Sequence, residues 1–181
     1  MKIVPTPLDG CFVIEPEPFR DERGFFMRTF CATTFRERGL NPEIDQCSFS
    51  FNQRRHTLRG MHFQAAPRME DKLVRVVQGA IYDVAVDIRP GSKTFGQWFG
   101  QELTADNHLA LYIPQGFAHG FLTLSDEAMV AYQIAQPYQA DLARGLNWND
   151  AQVGIVWPHP PEVISARDAV LPGLGDLALT P

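Results

Sequence analysis

The stretch "TLRGMHFQ", Thr57 to Gln64, sets Arg59, His62 and Gln64 inside an apolar, strand-like run. A buried charge or polar group costs several kcal/mol unless it is paired, so these side chains need a partner from the fold, a metal or a ligand. Histidine with its near-neutral pKa suits proton transfer, and arginine suits bidentate anion binding. Strict alternation sends Arg59 and His62 to opposite faces of a strand. Gly60 between them fits a bulge that resets the phase and turns both inward. Downstream, "EDKLVRV" adds Lys72, and a lysine inside a β-protein either snorkels to the rim or works in a pocket. "IPQGFAHGF" contains Pro-x-Gly-x-x-His at Pro114, Gly116 and His119, a tight turn followed by a histidine that either points into a pocket or stays partly exposed beside a hairpin. Together these residues describe a cationic, hydrogen-bonding cavity.

Metal chemistry is a poor match. The region offers His62 without a His-x-His neighbour, and two histidines with Glu70 make a thin ligand set where three or four are needed. The expectation is no metal and no cofactor; no dinucleotide-binding glycine motif is present either. "AMVAYQIAQPY" supplies Tyr132 and Tyr138, whose bland role is strand packing with the hydroxyl at an edge. "ISARDAV" supplies Arg167 and Asp168, whose bland role is an exposed turn or a surface ion pair of small value.

The elements that must position these groups are short strands. Runs such as "GCFVIE", "GFFMRTF", "DQCSFSF", "KLVRVVQG", "AIYDVAVDIR", "QWFGQEL", "LALYIP", "HGFLTL" and "AMVAYQI" are separated by turn signals. Before the middle of the chain only "ATTFRERG" reads as a helix, with Thr33 or Thr34 as its cap and Gly39 as its end. The expected fold is all-β, a jelly-roll barrel with a few short helices, forming one domain over residues 1–181. The Pro-, Asn- and Asp-rich stretch after Gln136 reads as an ordered excursion packed on the barrel.

Composition narrows the partners. Apolar residues are 45%, charged residues 20% and the net charge −5 over 181 residues. With no basic block, nucleic acid is not expected as a partner, although a few local arginines can hold a nucleotide-sized anion. No run is long and apolar enough to span a bilayer, and no signal-peptide core is visible. Cys11, Cys31 and Cys47 lack paired spacing and read as reduced thiols of a cytoplasmic protein.

The blocks "DERGFF", "TLRGMHFQ", "KLVRVVQGAIYDVAVDIRPGS", "IPQGFAHGFLTLSDEA", "ARGLNWND" and "ISARD" resemble the dTDP-4-dehydrorhamnose 3,5-epimerase family from about Val4 to Asp168. The resemblance implies a homodimeric, metal-independent cupin acting on a nucleoside-diphosphate 4-keto-6-deoxy sugar. It implies His62 as the base, Asp168 as its carboxylate, Tyr132 as the proton donor and Lys72, joined by His119, at the keto oxygen. Arg23, Arg28, Gln46, Ser48, Arg59, His119 and Arg167 become nucleotide-sugar contacts, and Phe26 and Tyr138 aromatic lining. Departures from the family pattern fall at Arg28 and Ala143, where glutamate is usual, and in "QCSFSFN" and "YQIAQPY". They make the nucleotide side more cationic. A sugar-nucleotide ketoisomerase and a non-catalytic sugar-binding cupin are the competing functions.

Overall fold

Two antiparallel sheets face each other in a computed structural model that describes residues 1–179. In chain order the strands are β1 (Lys2–Pro5), β2 (Phe12–Glu15), β3 (Phe19–Asp21), β4 (Gly24–Phe26), β5 (Gln46–Asn52), β6 (Thr57–Gln64) and β7 (Lys72–Gln78). They continue as β8 (Ala80–Asp87), β9 (Trp98–Thr104), β10 (Ala110–Ile113), β11 (Phe117–Thr123), β12 (Ala128–Ile134), β13 (Ala143–Gly145) and β14 (Val163–Ile164). The first sheet runs β1-β2-β10-β7-β12-β5 and the second β13-β6-β11-β8-β9, with β14 beside β6 in parallel. β3 and β4 form a separate hairpin. This is the expected jelly-roll arrangement.

Alternation along the strands builds the layers. Inward residues such as Val74, Val76, Ile81, Leu103, Phe117, Phe121 and Val130 fill the space between the sheets. Outward residues of the second sheet, including Met61, Val84 and Ala118, are covered by the segment carrying Leu146, Val153 and Leu174. The excursion after Gln136 is thus a lid on that sheet. The outer face of the first sheet is capped in part by the only α-helix among the described residues, α1 (Ala32–Glu37), whose Phe35 packs against Ile14, Leu73 and Tyr112. Its N-cap is Cys31, with no side-chain cap, so Thr33 and Thr34 lie inside the helix rather than ahead of it. Burial of Phe35 sets the start of this short helix in place of capping chemistry. Gly39 does follow its end, with φ +71°.

The bulge expected at Gly60 is present. Arg59 pairs with Phe121 and His62 with His119, so two residues of β6 oppose the single Gly120 of β11. Gly60 has φ +128°, and a Cβ there would lie 2.5 Å from Gly120 Cα. Only glycine meets both demands. The extra residue restores parity, and Arg59, His62 and Gln64 share the inner face.

Candidate active site

One end of the inter-sheet space is polar. β6 and β11 of the second sheet contribute Arg59, His62, Gln64 and His119; β7, β12 and β5 of the first contribute Lys72, Tyr132, Gln46, Ser48 and Ser50. They surround a cavity of about 340 Å³. His119 reaches it because the Pro114–Gly116 turn starts β11 in the right phase. Gly116 there has φ +77° and packs so closely on Arg89 that a Cβ would sit 2.4 Å from Arg89 Cγ.

Three side chains of the cavity, two histidines and a lysine, are each bonded to a carboxylate. His62 Nε2 lies 2.7 Å from Asp168 Oδ1, His119 Nε2 2.7 Å from Asp83 Oδ1, and Lys72 Nζ 2.8 Å from Glu70 Oε1. Asp168 is delivered from far along the chain. β14 docks beside Thr57 and Leu58, and a 3₁₀ turn follows in which Asp168 N–H donates to Ser165 Oγ at 3.0 Å. Asp168 is buried and its Oδ2 accepts from Gly60 N–H at 3.2 Å. This is no surface ion pair. An ionised carboxylate only accepts, so the pair puts the His62 proton on Nε2 and leaves Nδ1 a free base. Burial, more than the opposing pull of Asp168, lowers the His62 pKa, with Lys72 and His119 adding to the drop.

Tyr132 stands on β12 opposite Ser48, facing the second sheet across the cavity. Burial foremost, then the Asp83 charge, raise its phenol well above the ordinary tyrosine range, against the pull of Arg59. Arg59, Arg144 and Arg167 also line the cavity. Arg59 Nε donates to Asn52 Oδ1 at 2.7 Å and Arg144 to the Asp141 and Ala143 carbonyls. None of the three bonds a carboxylate among the described residues, unlike Lys72 and the two histidines. They are the cations free for an external anion.

Of the residues expected at the site, the fold gathers His62, Asp168, Tyr132, Lys72, Gln46, Ser48, Arg59, His119, Tyr138 and Arg167 in or against this cavity. Gln46 is partly committed, since its Oε1 accepts from Tyr138 N–H at 2.9 Å. Arg23, Phe26 and Arg28 lie outside the cavity of their own chain. Arg23 pairs with Asp21 on the exposed β3–β4 hairpin, and Phe26 and Arg28 line a separate hollow with Glu17 and Cys31. Sequence reasoning missed Asp83 and Arg144, and treated Glu70 only as a metal ligand. The signal for Asp83 was its parity in "AIYDVAVDIR", in step with Ile81 and Ala85 on the inward face. Among the described residues no three His, Cys, Asp or Glu side chains are grouped to hold a metal ion.

A family model described as dTDP-4-dehydrorhamnose 3,5-epimerase matches residues 5–176. The chain belongs to the dTDP-4-dehydrorhamnose 3,5-epimerase family. It is 46% identical to the dTDP-4-dehydrorhamnose 3,5-epimerase of Methanothermobacter thermautotrophicus, over 87% of this chain and 84% of that one. To the dTDP-4-dehydrorhamnose 3,5-epimerase of Salmonella typhimurium it is 42% identical, over 99% of both chains. The crystal structure of the dTDP-6-deoxy-D-glucose-3,5-epimerase of Legionella pneumophila, in complex with dTDP-4-keto-L-rhamnose, superposes with a TM-score of 0.91. That match has 40% identity and covers 97% of this chain and 94% of that one. Within this isomerase family, the two facing sheets are the jelly roll of a cupin.

Proposed function

We propose that this family member epimerises dTDP-4-dehydro-6-deoxyglucose at carbons 3 and 5, with His62 as base and Tyr132 as acid. The observation that carries the proposal is their opposition: the His62–Asp168 couple is on one sheet's inner face and Tyr132 on the other's, with a sugar-sized space between. A ketone at carbon 4 acidifies the hydrogens on carbons 3 and 5. His62 Nδ1 removes one, and Asp168 stabilises the imidazolium that forms. The electron pair moves onto the keto oxygen, where the Lys72 ammonium offsets the developing charge. Tyr132 returns a proton from the opposite side, and the centre inverts. Arg59, Arg144 and Arg167 hold the diphosphate by charge-assisted hydrogen bonds.

The test is direct. Incubated with the 4-keto sugar nucleotide, the protein is expected to yield product inverted at carbons 3 and 5 by NMR. A ligand that raises the melting temperature but is recovered with unchanged stereochemistry would mean a binding-only cupin.

A second copy of the chain completes the site in this proposal. Phe19 and Phe26 on the hairpin are 75% and 71% exposed, and Phe49 on the edge strand β5 is 71% exposed. Large apolar side chains so arranged favour burial against another protein surface. A hairpin crossing into the neighbouring cavity would bring Arg23, Phe26 and Arg28 to the nucleotide. Light scattering at micromolar concentration is expected to give the mass of a dimer; a monomer contradicts the crossing. We assign the reaction to the cytoplasm, in keeping with three unpaired cysteines, of which buried Cys11 has its thiol pushed up to about 12. No helix is long and apolar enough to cross a membrane.

A further inference from the structure

Asp83 is an anomaly of burial. It sits mid-strand on the inward face of β8 and is fully shielded from water. Its Oδ1 accepts from His119 Nε2 at 2.7 Å, while Oδ2 has no hydrogen-bond partner among the described residues. A carboxylate so sealed is tolerable only beside a cation or a proton. His119 is the ionisable group bonded to it. A proton held by this pair would be stored on the inner face of the barrel.

The neighbour of that store is Tyr132. Its ring meets the His119 ring edge-on, with centroids 6.0 Å apart. A phenolate left on Tyr132 after proton donation would be desolvated and close to the Asp83 charge, the two causes that already disfavour its ionisation. Acting alone, Tyr132 is a reluctant acid. It becomes an effective one if its proton is replaced as it leaves.

We propose that Asp83, His119 and Tyr132 form one proton-supplying chain, with Asp83 as the positioning residue that keeps a transferable proton on His119. The proposal rests on the epimerase reading above. As the enolate's electron pair forms the new C–H bond, the Tyr132 O–H breaks. The imidazolium N–H of His119 then breaks as the Tyr132 O–H re-forms, leaving a neutral ring beside an Asp83 that stays ionised. Because Nε2 is tied to Asp83, the proton handed on is the one carried by Nδ1. The ring regains a proton from water at the cavity mouth before the next inversion.

Asp83→Asn preserves side-chain size and an oxygen that accepts from His119, and removes the charge. Wild type and variant are given the 4-keto sugar nucleotide in heavy water, and NMR follows two rates: loss of substrate hydrogen, which reports the base, and appearance of inverted product, which reports the acid. Inversion is expected to fall at least about tenfold more than hydrogen loss, within the usual range for a proton-transfer group. Adding Asp83→Asn to Tyr132→Phe is expected to cause no further fall, because a residue that acts only through the Tyr132 hydroxyl has nothing left to supply once that hydroxyl is gone. Equal losses in both rates, additive losses, or no loss overturn the chain. If Asp83→Asn melts early, His119→Gln is read by the same two rates, and equal losses there overturn it as well. A wild-type protein showing neither rate would reject the epimerase reading instead.

Discussion

Replacing His62 with alanine abolishes epimerisation, lowering turnover by roughly 10² to 10⁴, the usual contribution of a positioned general base. The same variant stops exchange of the sugar's hydrogens with solvent, because no other side chain of the cavity combines a free imidazole nitrogen with a carboxylate from Asp168. The fold survives. The His62 side chain is 42% exposed, and Asp168 keeps the Gly60 N–H on its other oxygen. Asp168 does lose the partner on Oδ1, a cost of about 1–3 kcal/mol that appears as a lower melting temperature. The pH dependence follows from the lowered His62 pKa. The base works when neutral, and neutrality extends below the ordinary histidine range. Wild-type kcat/KM is therefore expected to hold at neutral pH and fall only as pH drops through that lowered value. An acid limb above the ordinary histidine range, or a His62→Ala variant within a few-fold of wild type, would remove His62 from the role of base.

The second large effect is at Tyr132. Tyr132→Phe keeps the ring between Val130 and Ile134 and removes only the hydroxyl, so the cavity persists. Hydrogen exchange continues because the His62–Asp168 couple is intact, while net inversion at carbon 5 is lost. Protons return to the face they left, or solvent protonates carbon 3 alone. Loss of the acid is expected to lower inversion by about 10² or more. Product analysis by NMR separates the two outcomes. Full double epimerisation by Tyr132→Phe would transfer the acid's role to Tyr138, which also lines the cavity, or to water.

How far the site is legible in sequence differs from residue to residue. The inward turn of Arg59 and His62 follows from local facts: a period of two, one glycine and a strand that cannot leave charge unpaired. Lys72 and His119 follow in the same way, from a strand start and a turn motif. Asp168 does not. Its burial depends on β14 docking beside β6, a contact that joins residues more than a hundred positions apart. Without the family resemblance, "ISARD" reads as a surface turn. Asp83 lies between these cases. Its parity is visible in "AIYDVAVDIR", but its partner is set by the register of β8 against β11, where Asp83 stands opposite Phe121 and diagonal to His119. The helix start departs from local capping signals for a related reason. Thr33 and Thr34 are good caps in isolation, yet burial of Phe35 decides where α1 begins. Arg23 and Phe26 show the limit of a single chain, since neither lines the cavity that their own chain builds.

The central claim is that a proton leaves the sugar to His62 on one face and arrives from Tyr132 on the other. It is tested most directly by running wild-type protein with dTDP-4-dehydro-6-deoxyglucose in heavy water and locating deuterium by NMR. Deuterium is expected at carbons 3 and 5, each inverted, with none at carbon 2. Inversion without deuterium at the inverted carbon, or a sugar that binds and keeps every hydrogen, would contradict it.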